Sequence, residues 1–162
     1  MLYYVTVGFI HSHPSGLPEA SQGETVYYFT YGSNLSKKEM KEYCPDSRPK
    51  FVATLHNYKL VFVGWSQRRQ GGVASIKRFS GERVLGAIYD ISERDLRELD
   101  KKEGYPQAYT RMNVTVTNEF SDRTEAVTYI KVGRLEETQA SEEYKAVIRQ
   151  GYKDWGIWPF HS

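Results

Sequence analysis

Apolar and aromatic residues fall along this chain in short β-prone runs rather than in long periodic stretches. Val26-Tyr27-Tyr28-Phe29-Thr30 is the first such run. Tyr58 to Trp65, Gly72 to Phe79, Val84 to Ile91, Arg111 to Asn118 and Ala126 to Val132 follow, rich in Val, Ile, Tyr and Thr and bounded by Gly, Asn or Asp. Each predicts a strand. Only three stretches, near 36–43, 92–103 and 141–154, carry a helical pattern. That is too few to give every strand of a parallel sheet its crossover, so the pattern predicts an α+β fold with a largely antiparallel or mixed sheet.

The second helix begins at Ser92 as N-cap, carries acids in its first turn and stops at Gly104 and Pro106. Leu96, Leu99 and Glu103 follow at spacings of three and four, so the 3.6-residue period puts this carboxylate on the inward stripe. Arg97, Glu98, Lys101 and Lys102 read as the solvated side. In the third helix Tyr144, Val147, Ile148 and Trp155 form one stripe, whose default role is core packing. Trp155, Trp158 and Phe160 read as packing or as a subunit contact of a homodimer, not as a cofactor box.

Between the first run and the first helix lies Tyr31-Gly32-Ser33-Asn34-Leu35, a strand-to-helix turn. Ser36 and Glu39 fit a reciprocal capping box. Backbone N–H groups beside a helix start attract a carboxylate or a developing oxyanion, so the turn reads as a small-anion cradle; a plain capped turn is the alternative. A carboxylate on a buried stripe finds a partner or has its pKa raised, and a raised pKa suits a general base. Fraying of Glu103 into solvent at the helix end is the alternative.

Composition narrows the function classes. A chain of 162 residues is one domain with a short appendage, large enough to bury about two-thirds of its unfolded surface. Its 22 basic and 20 acidic residues are interspersed, which argues against a nucleic-acid partner. Arg68-Arg69 reads as a solvated loop pair or a contact for an anionic substrate tail. Cys44 is the only cysteine, so no internal disulfide forms and a reducing, cytoplasmic setting is expected; as a residue it reads as small and half-buried. No apolar run approaches the ~20 residues of a membrane span, and the start lacks the basic segment of a signal peptide.

Four motifs, in order and spacing, resemble those of the γ-glutamylcyclotransferases: Tyr28-Phe29-Thr30-Tyr31-Gly32-Ser33-Asn34-Leu35, Gly71-Gly72-Val73-Ala74-Ser75-Ile76, Leu99-Asp100-Lys101-Lys102-Glu103-Gly104, and Ser141-Glu142-Glu143-Tyr144 with Gly151 downstream. The resemblance covers residues 26–160 and makes 26–162 the domain. It implies a small mixed β-barrel with flanking helices. It also implies substrate binding by Tyr28, Phe29, Thr30, Tyr31, Gly32, Ser33 and Tyr144, with Glu103 as catalytic acid/base. The reaction it implies is cyclisation of a small-molecule γ-glutamyl compound to 5-oxoproline with release of an amine, without metal or cofactor. A γ-glutamylamine cyclotransferase, a deprotecting enzyme of a biosynthetic pathway and a non-catalytic binding module are the alternatives. Which way Glu103 faces separates the last from the rest.

Residues 1–25 read as an extension or linker. Within them Gly8-Phe9-Ile10-His11-Ser12-His13-Pro14-Ser15-Gly16, followed by Ser21 and Glu24, resembles the zinc motif of the JAMM metalloproteases. Glu24 stands where that family has Asp, and the family's fold needs far more chain than precedes the motif. The segment is read as a remnant, a fusion junction or coincidence, with no metal assigned; Leu2 to Ile10 is β-prone and is also a candidate edge strand.

Overall fold

The computed structural model describes residues 23–157; the histidine motif, Leu2 to Ile10, Trp158 and Phe160 lie outside them. The elements are β1 (Thr25–Thr30), a 3-10 turn (Ser33–Leu35), α1 (Lys37–Tyr43), β2 (Arg48–Ser66), β3 (Gly71–Ser92), α2 (Glu93–Glu103), β4 (Tyr109–Thr117), β5 (Arg123–Lys131) and α3 (Glu142–Asp154). The strands close into a barrel in the order β1, β3, β2, β4, β5. Every neighbouring pair is antiparallel except β1 and β5, which run parallel where Tyr28 faces Val127. The expected mixed, largely antiparallel barrel with flanking helices is what the chain forms.

The strand boundaries differ from the pattern in one instructive region. Two strands were expected over 72–79 and 84–91; they are one strand, β3, paired with β2 on either side of residues 79–82. The interruption at Gly81 is an irregularity inside the ladder. Tyr58 pairs with Arg78 while His56 pairs with Arg83, and the Gly81 N–H donates to Asn57 Oδ1 at 3.1 Å. Such bulges bend and twist a strand, which closure of a small barrel requires. The first half of β2, from Arg48 to Asn57, is absent from the expected strands: its β-prone run, Phe51 to Leu55, is short and flanked by Pro49-Lys50 and His56-Asn57.

Two apolar clusters follow from the alternation of side chains across β1. Phe29 joins one with Tyr31, Leu35, Ile88, Tyr144 and Ile148. Tyr28, pointing the other way, joins Met40, Cys44, Tyr89, Leu99 and Tyr129, which seals α1 and α2 against the barrel. Fully burying a Leu, Ile or Phe side chain is worth about 1.5–3 kcal/mol, so these clusters hold the helix ends in place. Cys44 is fully buried rather than half-buried, and burial pushes its thiol up to about 12. Among the described residues no helix is long and apolar enough to cross a membrane.

α3 holds the strand-to-helix turn from outside. Gly151 is the contact point: a Cβ there would lie 2.4 Å from Leu35 Cβ and 2.7 Å from the Ser36 nitrogen. Trp155 Nε1 donates to the Leu35 carbonyl at 2.9 Å, and its ring meets Tyr89 edge-on at 5.2 Å. Trp155 is therefore a packing residue. The stripe of α3 is Tyr144, Ile148, Gly151 and Tyr152, with Val147 half-buried.

Candidate active site

The end of β1, the 3-10 turn, the last turn of α2 and the starts of β3, β4 and α3 converge on one pocket of about 40 Å³. Tyr28, Thr30, Tyr31, Gly32, Ser33, Glu103 and Tyr144 line it, together with Asn34, Ala74, Tyr109 and Tyr129. Phe29 is the exception among the candidate residues. Its ring has no exposure and lies in the barrel core, because successive side chains of a strand point to opposite faces.

The turn is built as its residues suggest, with one difference. Leu35 N–H donates to the Gly32 carbonyl at 3.1 Å and Ser36 N–H to the Ser33 carbonyl at 3.0 Å. This leaves the Ser33 and Asn34 N–H groups at the opening of the 3-10 turn without an intrahelical acceptor. Ser36 Oγ accepts from the Glu39 N–H at 3.3 Å, but the reciprocal half of the capping box is missing. The Ser36 N–H is already engaged by Ser33, and the Glu39 carboxylate is bound by Arg69 at 2.9 Å and Lys102 at 3.8 Å. Gly32 has φ −118° and ψ −137°, so it is not needed for left-handed backbone. It is needed for a close approach: a Cβ there would stand 3.2 Å from Ala74 Cβ and 3.6 Å from Tyr144 Oη.

Glu103 faces this pocket. α2 ends immediately after it because Gly104 takes the left-handed conformation, φ 65°, which a glycine adopts at little cost. Asn34 ties the carboxylate to the turn. Its Nδ2 donates to Tyr28 Oη at 3.0 Å and to Glu103 Oε1 at 3.4 Å, while its Oδ1 accepts from Lys102 Nζ. Burial pushes the Glu103 carboxyl above its ordinary range, although Lys102, the Asn34 hydrogen bond, Arg69 and Lys131 pull it back. Lys102 was expected on the solvated side of α2, yet its side chain is 7% exposed. Its ammonium lies between Glu39, Asn34 and the Tyr43 ring, and burial lowers its pKa.

The tyrosines divide into two kinds. Tyr31 Oη donates to the Tyr129 carbonyl at 2.6 Å, Tyr109 Oη to the Ala74 carbonyl at 2.9 Å, and Tyr129 Oη to Asp100 Oδ1 at 2.5 Å. Their protons are committed. Tyr28 and Tyr144 instead accept, from Asn34 Nδ2 and from the Ala74 N–H at 3.1 Å respectively. Each keeps its own proton to donate into the pocket. Burial raises both phenols, Tyr144 up to about 12, so both stay protonated near neutral pH.

Asn34, Tyr109 and Lys102 are site residues that sequence reasoning missed. Asn34 lay inside the motif but read as a turn former, and Tyr109 opens a strand with nothing to distinguish it from the chain's other tyrosines. Arg69, read with Arg68 as a solvated pair or a contact for a substrate tail, is only 16% exposed, bound to Glu39 and stacked 4.8 Å from the Tyr144 ring. A helix-face pattern registers period, not the neighbouring loop that covers the face.

Comparison with known proteins bears on the chemistry. Residues 28–155 match the family model described as gamma-glutamyl cyclotransferase, AIG2-like. The chain is 31% identical over 143 residues to the gamma-glutamylcyclotransferase of Bos taurus, covering 85% of this chain and 76% of that protein. Among solved structures, a gamma-glutamyl cyclotransferase superposes with a TM-score of 0.80 at 28% identity, over 83% of this chain and 82% of that one. A yeast cyclotransferase specific to glutathione shares the fold at a TM-score of 0.56 and 14% identity, over 86% of this chain and 93% of that one.

Proposed function

This chain belongs to the gamma-glutamyl cyclotransferase, AIG2-like family, and we propose that it cyclises the γ-glutamyl group of a small molecule to 5-oxoproline with release of an amine. The observation that carries the residue assignment is the orientation of Glu103, whose carboxylate faces the turn and is hydrogen-bonded to it through Asn34. Had Glu103 pointed away from the turn, binding alone would have survived; a carboxyl group facing the turn is what the acid/base role requires.

Glu103, as carboxylate, takes a proton from the substrate's α-ammonium. The freed nitrogen attacks the side-chain carbonyl carbon, and a five-membered ring closes through a tetrahedral oxyanion. The bond to the departing nitrogen then breaks as the Glu103 carboxyl returns the proton to it, and the carboxylate so restored takes the second proton from the ring nitrogen and passes it to the released amine, which leaves as an ammonium. Proton and electron pair are both conserved within the site. Because nucleophile and electrophile belong to one molecule, positioning carries much of the rate, with effective molarities of order ~10⁵–10⁸ M in well-oriented cases. The N–H groups of Ser33 and Asn34 and the hydroxyls of Tyr28 and Tyr144 are the donors for the substrate carboxylate or the oxyanion. A pocket of about 40 Å³ takes the end of a small molecule, not a whole dipeptide, so the leaving amine lies outside it. The test is incubation with γ-glutamyl amino acids, γ-glutamylamines and glutathione, with 5-oxoproline as the readout; no 5-oxoproline from any of them would end this reading.

A further inference from the structure

Outside the inner pocket lies a second compartment of about 370 Å³ that shares Ser33, Glu103, Tyr109 and Tyr144 with it. Glu103 borders both, so an amine that takes its proton from the outer side of Glu103 faces that compartment. Its wall carries Arg68, Arg69, Lys101, Lys102 and Lys131, and Glu103 is its only carboxylate. Three of the five cations already have an ion-pair partner: Arg69 and Lys102 share Glu39, and Lys101 meets Glu98 at 2.8 Å. Arg68 and Lys131 have no ion-pair partner among the described residues. Each rests instead against an aromatic face, Arg68 at 5.9 Å from Tyr43 and Lys131 at 4.8 Å from Tyr109.

We propose that this compartment is a leaving-group subsite for an amine bearing two carboxylates, an acidic amino acid, with Arg68 and Lys131 as its specificity residues. The proposal rests on the cyclotransferase reading, which leaves the amine open. A simple alkylamine brings no charge to the two unmatched cations, and a neutral amino acid matches one of them. An acidic amino acid matches both. Because the substrate's own α-carboxylate is assigned to the turn, it does not compete for these cations. Trp65, 65% exposed on the same wall, offers a flat apolar surface to the side-chain methylenes. Proton and bond changes are those given above; only the identity of the departing nitrogen is added.

The test compares kcat/KM of the full chain for γ-glutamylglutamate, γ-glutamylalanine and γ-glutamylethylamine at low salt. We expect that order, with roughly two- to fivefold per added carboxylate, the range of exposed ion pairs, and a spread that narrows as salt rises. Lys131→Met and Arg68→Gln should each lower the ratio of γ-glutamylglutamate to γ-glutamylethylamine by a similar factor, and Lys131→Arg should keep it. Taking the ratio within one variant cancels effects on folding and on Glu103, which Lys131 also influences. If a substitution unfolds the chain, the salt dependence of the unaltered protein decides. Turnover of γ-glutamylalanine with a flat ratio in all forms overturns the subsite and leaves the reaction standing. Absence of 5-oxoproline from all of these compounds overturns both.

Discussion

Two concavities lie at the two ends of β4, and they differ in kind. Tyr109, at the start of the strand, lines the inner pocket of about 40 Å³. Asn118, just past its end, lines a groove of about 660 Å³ walled by Phe51, Leu85, Phe120, Trp155 and Ile157. The groove is larger and more apolar. Yet the small pocket holds the carboxyl group with the raised pKa, the two phenols with uncommitted protons and the unpartnered turn N–H groups. Capacity to react resides where polar groups have been forced to converge without water, and convergence takes up volume. A large apolar hollow without such groups has surface to offer but no chemistry.

The comparison is broken most severely at Glu103. Glu103→Gln should lower kcat/KM for 5-oxoproline formation by at least ~10²-fold, the usual scale for a general acid or base. It should also stabilise the fold near neutral pH. The sign follows from the raised carboxyl pKa: the folded state favours the protonated form, so the contribution of Glu103 to stability is fully present below its unfolded pKa and lost as pH rises through the folded one. The amide escapes that loss. Melting curves of the two forms should therefore differ near neutral pH and converge in acid, while the wild-type rate falls as pH drops through the same carboxyl. Retained turnover in the Gln form would remove Glu103 from the mechanism.

Next in size is the turn. Gly32→Val should cost roughly ~10- to 100-fold in kcat/KM, because its Cβ arrives 3.2 Å from Ala74 Cβ and 3.6 Å from the Tyr144 hydroxyl and its branches crowd the donors further. Ser33→Ala removes one hydroxyl and leaves the backbone N–H in place, so a loss of less than ~10-fold is expected. Parallel kinetics and melts separate the cases. Equal, mild losses in kcat/KM from both would reduce the turn to a structural element.

The turn and the placement of Glu103 were legible because both depend on local rules. Ser33 and Asn34 form a tight turn, and Leu96, Leu99 and Glu103 share a helix face. The α+β class with a mixed, largely antiparallel sheet was legible too, from strands outnumbering helices, whereas closure into a barrel was implied by the family resemblance. What escaped was tertiary. Lys102 sits one residue from Glu103 on a helix whose pattern calls it solvent-facing, and only the approach of α1 and the loop after β2 buries it beside Glu39 and Arg69. Gly81 falls between two expected strands, and only the pairing with Asn57 makes it a bulge. Phe29 fails in the opposite sense: a motif includes it, yet strand alternation turns its ring into the core.

Lys102 sharpens the same comparison, since nothing like it borders the groove. Lys102→Met removes the charge that lowers the Glu103 carboxyl pKa most and releases the Asn34 side-chain oxygen. The acid limb of the pH–rate profile should move to higher pH, with a loss of about ~10-fold near neutral pH that shrinks in alkaline buffer. Lys102→Arg should keep the limb nearer its original position. A uniform loss at every pH would mean that Lys102 acts only through packing.

The smallest expected effect lies at the groove. Phe120 is 76% exposed, and the turn that carries it is held by Asn118, whose Oδ1 accepts from the Phe120 N–H at 2.9 Å and the Asp122 N–H at 3.0 Å. The ring contributes nothing to that turn. Phe120→Ser should therefore shift stability by no more than about 0.5 kcal/mol, as surface substitutions away from special features do, and leave kcat/KM unchanged for every γ-glutamyl compound. A chemical melt and one substrate titration are sufficient to check it. Should turnover fall while the melt stays put, the groove would be coupled to Glu103 along the length of β4, and the contrast between a reactive pocket and an inert hollow would fail.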